Sequence, residues 1–392
     1  MRSRVLRRLA KGLAFLLLAL TGTIAFFIFS AWTSYGTAAS GARLQRVESS
    51  PQYANDRFDN VLPTQQTETL TILRRWLAGA KNTEPNRSPE VDVRSQSDFE
   101  LPPASGLRIT WLGHSSMLVE IDGHRLLTDP VFSERASPWS LYGPRRFFEP
   151  PLTATTLPSL DAVVLSHDHF DHLDETTIKA LADHVPLFLA PLGLGAHLEY
   201  WGVAPDRIVE VDWWESVTVG DLELTGTPAR HFSGRSLWDT NRTLWASWAI
   251  VGHHHRVYFS GDTAMFPEFT EIGRRFGPFD ATMMEVGAYS ADWPDVHLGP
   301  EQAVQAHEMV GGALLFPIHW GTFNLALHSW IEPVERLRVA ARDAGVRLVV
   351  PRPGQRIEPA DPPPIVQWWD QVPWRTVTES PVVSTGLEIA ER

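Results

Sequence analysis

The 392-residue sequence contains no cysteine. A disulfide framework is therefore excluded, and any metal ligand must be nitrogen or oxygen. This absence permits an oxidising compartment without requiring one. An excess of positive charge is also missing. Forty-six acidic residues outnumber 34 basic ones, for a net charge of −12. With no basic patch, this counts against nucleic-acid binding and against an RNA-processing role. No internal repeat is visible. Beyond the N-terminus, no segment is long and apolar enough to span a bilayer.

The N-terminus is different. Arg2, Arg4, Arg7, Arg8 and Lys11 precede a stretch from Gly12 to Ala42 without a single charge. Its apolar heart, Leu13 to Trp32, matches a bilayer core of ~20 helical residues and exceeds the ~7–15 of a cleavable signal. Thr37, Ala38, Ala39 and Ser40 would offer a cleavage site, but the length favours an uncleaved anchor. The basic cluster places the N-terminus in the cytoplasm and the rest of the chain outside, as a single-pass protein of the inner membrane. We expect four segments: the anchor (1–42), a helical and linker segment (43–100), a catalytic domain (101–358) and a Pro/Trp-rich tail wrapping the surface (359–392).

Leu70, Leu73, Trp76 and Leu77 predict a helix over Thr69–Ala80 that caps the domain. Strands are predicted at Arg108–Leu112, Met117–Ile121 and His124–Thr128, with Asp122-Gly123 as a hairpin turn. Further strands are expected at Asp161–Ser166, Pro186–Ala190, Ala313–Ile318 and Val346–Val350, with paired strands near Val217–Gly226 and Trp245–Ser260. Helices are expected after Asp174, which can cap one, from Pro300 to Val310, and over Glu332–Ala344. This alternation predicts layered α and β structure in one domain. Sixteen tryptophans are read mainly as packing residues.

The chemistry concentrates in Ser166-His167-Asp168-His169-Phe170-Asp171-His172, which follows directly on a buried-type strand. Two histidines two apart at a strand end can grip one metal, and Asp171 and His172 can reach a second. His231, Asp262 and His319 each follow an apolar run, where loops gather at one sheet edge. Alone each would be an ordinary turn residue; together they complete a set of seven. His114 lies close to a turn: it is read either as a residue near the site or, the favoured reading, as an ordinary turn residue, and His253-His254-His255 as a polar hairpin turn.

The run His167 to His172 matches the HxHxDH motif of the metallo-β-lactamase superfamily. Thr110-Trp111-Leu112-Gly113-His114-Ser115-Ser116, Leu127-Thr128-Asp129-Pro130, Ser260-Gly261-Asp262-Thr263 and Ile318-His319-Trp320-Gly321-Thr322-Phe323 resemble the N-acyl-phosphatidylethanolamine-hydrolysing phospholipase D group. The resemblance covers about residues 50–358. It implies an α/β fold, a four-layer αββα sandwich with metals at one edge. It implies one zinc on His167, His169 and His231, a second on Asp171, His172 and His319, and Asp262 bridging; iron or manganese would tolerate the same ligands. Asp129 would orient a ligand histidine. Asp171 would also orient the nucleophile, and His297 would bind phosphate or pass a proton. The animal phospholipase lacks an anchor like this one, so membrane attachment departs from the group.

The expected activity is a phospholipase D-type phosphodiesterase acting on a phospholipid. Alternatives are another phosphodiester or a lactone on the same centre, or a tethered metal-binding factor without turnover. A β-lactamase is disfavoured, because the flanking motifs match the phospholipase group. The stretch containing Phe132, Trp139, Leu141, Tyr142, Phe147 and Phe148, with Arg135, Arg145 and Arg146, suits either an anionic lipid interface or an ordinary packed loop.

Overall fold

The computed structural model describes residues 2–65 and 67–387. The chain begins with α1 (Arg2–Ser30), a continuous 29-residue helix. Its charge-free part from Gly12 is ~28 Å long at ~1.5 Å per residue, close to the ~30 Å of a hydrocarbon core. Phe15, Leu18, Phe26 and Phe29 stand exposed, and the helix is long and apolar enough to cross a membrane. The segment after it is fastened to the body. Trp201 Nε1 donates to the Thr33 carbonyl (2.8 Å), the Thr37 amide donates to His197 Nδ1 (3.0 Å), and Arg43, just inside α2 (Gly41–Glu48), pairs with Glu199 (2.8 Å). A small hairpin of β1 (Tyr53–Ala54) and β2 (Arg57–Phe58) and the helix α3 (Thr69–Ala78) complete the N-terminal segment.

The first large sheet starts as an antiparallel meander, β3 (Leu107–Gly113), β4 (Ser116–Ile121) and β5 (His124–Thr128). It continues in parallel through β6 (Ala162–Val164), α4 (Glu175–Leu181), β7 (Phe188–Pro191), α5 (Gly195–Tyr200) and β8 (Ile208–Val211). Asp174 caps α4, its side chain accepting from the Thr176 amide. The second sheet repeats this plan. β9 (Ser216–Val219), β10 (Leu222–Thr227), β11 (Ser247–Val251) and β12 (Arg256–Phe259) are antiparallel. Then α6 (Glu268–Phe276), β13 (Ala281–Glu285), α7 (Pro300–Met309) and β14 (Leu315–Ile318) form parallel crossovers. After α8 (Glu332–Ala344), a short β15 (Arg356–Ile357) returns to the edge of the first sheet beside β3. Parallel pairing follows a helical crossover at β6–β7, β7–β8, β12–β13 and β13–β14, whereas β5 and β6 are joined in parallel by the long connection 129–161, which holds no helix.

The sheets pack face to face with helices outside. On β4, Met117, Val119 and Ile121 join the core shared with the second sheet, while Leu118 faces the cluster that holds α4. This period-2 alternation, apolar on both faces, is why every residue of β4 is buried. Two expectations change. Val346–Val350 is not a strand: it meets β14 only at Leu315, whose amide donates to the Arg347 carbonyl (2.9 Å) and whose carbonyl accepts from the Val349 amide (3.1 Å), a single bridge that extends no further. Conversely, Ala281–Glu285, absent from the expected strands, lies between β12 and β14. The tail lies along the body: Trp368 and Trp369 pack on Trp320, which stacks on Trp111.

α7 docks on β13 through His307, whose Nδ1 lies 2.7 Å from Thr282 Oγ1. Burial pushes this imidazole down to about 4. The folded chain therefore favours the neutral ring. That contribution is complete above the unfolded value near 6.5 and is lost as pH falls towards 4. His307→Gln should flatten the acid limb of stability. In urea unfolding at pH 7 and pH 5, wild type should lose about 2 kcal/mol more than the variant between the two pH values. Equal losses would show that the ring is not held neutral.

Candidate metal centre

Seven strand ends, those of β3, β5, β6, β10, β12, β13 and β14, converge at one edge of the sandwich. β6 runs into Ser166-His167, and the following turn is closed by the His172 and Leu173 amides, both donating to the His169 carbonyl (3.0 and 2.8 Å). This places His167, His169, Asp171 and His172 on one short loop. Asp168 instead points outward, accepting from the Gly234 amide (2.7 Å) and Thr243 Oγ1 (2.8 Å), and so ties this loop to the one after β10.

His231 lies on that second loop. Asn60 grips its backbone, accepting from the amide (3.0 Å) and donating to the carbonyl (2.6 Å). Its Nδ1 lies 2.9 Å from the Val296 carbonyl, which makes Nδ1 the donor and turns the Nε2 lone pair inward. His167 Nε2 and His169 Nδ1 are 2.8 Å apart, and His231 Nε2 is 3.3 Å from the same His169 atom. With Asp262, from the loop after β12, these three form one group of converging donor atoms.

Asp171, His172, His319 and His114 form a second group. Asp262 Oδ2 lies 3.1 Å from both His172 Nε2 and His319 Nε2, and 3.7–3.8 Å from His231 and His167 Nε2. One carboxylate oxygen thus stands between the two groups. Asp129, at the end of β5, lies 2.7 Å from His172 Nδ1, which points the other ring nitrogen inward. Asp129, His114 and His319 all have positive φ (33°, 52° and 62°). Such backbone is costly without Gly and persists only where the surroundings fix it.

All seven residues expected to bind metal therefore meet at one point. The site also contains atoms that the protein leaves unpaired. His172 Nε2 and His319 Nε2 face Asp262 Oδ2 at 3.1 Å without forming an aligned hydrogen bond, and Asp262 Oδ1 is buried with no partner among the described residues. Each such atom costs about 1–3 kcal/mol unless something satisfies it. The charges fit the same reading. Burial lowers the His319 imidazole, but Asp262 and Asp171 overcome this and raise it to about 10; His172 is driven up by the same carboxylates. Burial beside other imidazoles holds His167 well below the ordinary range, and burial does the same to His231. The protein alone can balance Asp262 and Asp171 only by charging histidines. Cations would balance them while leaving every imidazole a neutral ligand. Nitrogen and oxygen donors without thiolate suit zinc, iron or manganese.

Two further residues join the site. Glu285, fully buried at the end of β13, accepts from the Thr263 amide (2.6 Å) and the Leu298 amide (3.2 Å) and lies 2.8 Å from His297 Nδ1. Burial, then the charge of Asp262, drives its carboxyl well above the ordinary range. His297 is thereby held with Nδ1 3.8 Å from Asp262 Oδ2. His114 lies inside the second group, with Nε2 3.0 Å from Asp171 Oδ2 and its ring 4.0 Å from that of His319. The signal for Glu285 was a carboxylate ending an apolar run; for His114, a polar Gly-His-Ser turn between two buried strands. His253–His255 occupy the hairpin between β11 and β12, at the opposite end of the sheets.

Residues 124–320 match the family described as beta-lactamase superfamily domain. An uncharacterised protein of Mycobacterium tuberculosis is 47% identical over 347 residues, covering 86% of this chain and 92% of its own length. N-acyl-phosphatidylethanolamine-hydrolyzing phospholipase D 1 of Caenorhabditis elegans is 38% identical over 247 residues, covering 60% of this chain and 69% of its own length. Among solved structures, CmlA, a diiron β-hydroxylase from Streptomyces venezuelae, aligns with a TM-score of 0.52 at 19% identity, over 66% of this chain and 55% of its own; at that identity the likeness shows the fold. Its sequence and fold place this chain in the metallo-β-lactamase superfamily, as a metal-dependent hydrolase.

Proposed function

We propose that the chain is a membrane-anchored, dinuclear phosphodiesterase of phospholipase D type, acting on N-acyl-phosphatidylethanolamine-like lipids. The observation that carries this reading is Asp262 Oδ2, set between two complete groups of donor atoms. In this reading His167, His169 and His231 would hold one zinc ion, Asp171, His172 and His319 would hold the second, and Asp262 would serve both. Iron or manganese would fit the same donors. The similarity to the nematode phospholipase supports the substrate class. The apolar α1 supports an uncleaved anchor, with its N-terminus cytoplasmic and the catalytic domain outside.

A divalent pair supplies Lewis acidity and a water of lowered pKa. The chain's own groups do the rest. Asp171, fixed by His114, orients the attacking water. Glu285 occupies His297 Nδ1 and leaves Nε2 to bind a phosphate oxygen or to pass a proton to the departing alcohol. Water oxygen bonds to phosphorus, and the bond from phosphorus to the ethanolamine oxygen breaks. An N-acylethanolamine leaves with a proton, and phosphatidic acid remains.

Metal analysis of the full-length protein should find about two ions per chain. Asp262→Ala should lose both, and His169→Ala at least one. Each should lower turnover by more than ~100-fold, since even the outer partners of metal ligands are worth ~10–100-fold. Asp129→Asn should fall within that outer range. Full activity in His169→Ala or Asp262→Ala, or a folded protein that takes up neither zinc, iron nor manganese, would overturn the ligand assignment.

The substrate is tested on the full-length protein in lipid nanodiscs with a defined N-acyl-phosphatidylethanolamine. Chelator-sensitive release of N-acylethanolamine is expected. Two bound metals without release would refute the lipid and direct the search to other phosphodiesters and lactones.

A further inference from the structure

Two loop tips expose large apolar side chains to solvent. Leu141 is 90% and Tyr142 69% exposed on one; Leu237 is 97% and Trp238 63% exposed on the other. Neither tip is loosely attached. The first is the turn of a narrow ladder in which Arg135 pairs with Arg145, Arg135 Nη1 donates to the Gly143 carbonyl (2.7 Å), and the Ala136 amide donates to the Pro144 carbonyl (3.0 Å). The second is closed by Asp239, whose Oδ1 accepts from the Arg235 and Ser236 amides (3.1 and 2.8 Å). Arg235 below it is buried, with its guanidinium 4.1 Å from the ring of Phe170, inside the motif that carries the candidate metal ligands.

The base of α1 lies between the two tips. Trp139 Nε1 donates to the Phe27 carbonyl (2.9 Å), and the Phe27 and Trp139 rings meet edge to face at 5.7 Å. On the other side Tyr35 meets Trp238 at 5.9 Å. Arg235 Nε donates to the Ser34 carbonyl (2.7 Å). A cleft of about 290 Å³, lined by Ser34, Ser137, Trp139, Phe170 and Arg235, runs from the helix base towards the metal motif. Trp32, 56% exposed, marks the point where the apolar helix gives way to the fastened segment.

We infer that the tips 137–143 and 236–240 dock into the surface of the same bilayer that α1 crosses, which seats the catalytic edge on the membrane. This rests on the anchor proposed above. The occupant is a lipid surface because the exposed tips are continuous with the apolar helix. Each tip also pairs a leucine with an amphipathic aromatic, the residues that favour the headgroup level. Phe147 and Phe148 of the same stretch turn inward and are not part of this face.

The absence of cysteine makes the test direct. Leu141→Cys, Leu237→Cys, Leu18→Cys and His253→Cys each give a single site for an environment-sensitive fluorophore. The full chain is reconstituted in phosphatidylcholine–phosphatidylglycerol vesicles. Labels at 141 and 237 should be quenched by spin-labelled lipid and protected severalfold from iodide relative to 253, on the opposite end of the sheets. The label at 18 reports α1 itself. Lipid quenching at 18 with labels at 141 and 237 behaving like 253 would overturn docking while leaving the anchor intact. Protection from iodide without lipid quenching would mean that a second copy covers the tips, and would also overturn it. No quenching at 18 would remove both anchor and docking. The readout needs no substrate: docked tips on a protein that cleaves no phospholipid would sustain this inference and sink the lipid substrate.

Discussion

Asp262 sets the terms for the rest of the catalytic edge. Its Oδ2 is within 4 Å of ring nitrogens from five histidines, and its other oxygen is buried without a partner. An isolated carboxylate cannot be kept ionised in such a place. Everything nearby can be read as a response to that charge. Histidines arrive from four different loops, Asp129 and the Val296 carbonyl fix two of their tautomers, and three residues accept left-handed backbone to bring their groups in. A fold that ends seven strands at one edge is the scaffold such convergence needs, because no single element could present so many donors to one point.

A second buried aspartate does the equivalent task for the outer frame. Asp295 accepts from the Gln65 amide (2.8 Å), from Thr385 Oγ1 (2.6 Å) and the Thr385 amide (2.7 Å), and pairs with Arg230 (3.1 Å). It joins the segment before α3, the C-terminal tail and the loop that carries His231. It also sits two residues from His297. The N-terminal segment and the tail are thus part of what holds His297 and His231 in place. The regions that read as linker and wrapping in sequence contribute to the precision of the site.

The sequence spoke most clearly where one short run carried several constraints at once. From His167 to His172, strand, ligand-type residues and a capped helix lie within a dozen positions, and the structure brings them together. His231, Asp262 and His319 were legible only as members of a set, since each alone resembles a turn residue. Glu285 was not legible, because its strand was not read. Ala281–Met284 is a brief, mostly apolar run whose Gly277-Pro278 turn signal went unread, and its place between β12 and β14 is set by crossovers that no local pattern encodes. His114 failed for a related reason: its role depends on a φ of 52° and on a neighbour 205 positions away, His319. Val346–Val350 has strand composition, yet it pairs with β14 at Leu315 alone. The exposed tips show the same limit. An aromatic stretch reads alike whether its rings turn in or out, and here Phe148 turns in while Tyr142 turns out.

Charge connects the site to its proposed substrate. Two divalent ions set against Asp171 and Asp262 would leave the centre positive, with the imidazoles neutral. A low-dielectric site with a positive balance favours an anion over a neutral molecule. A phosphodiester brings the compensating charge; a lactone does not. A bilayer surface would bring the phosphodiester in high local concentration and fixed orientation, headgroup towards the protein. The cleft at the base of α1 opens at that level, between the two apolar tips and beside Phe170. A site that needs an anion and an edge that suits a lipid surface thus point to the same class of molecule from independent physics.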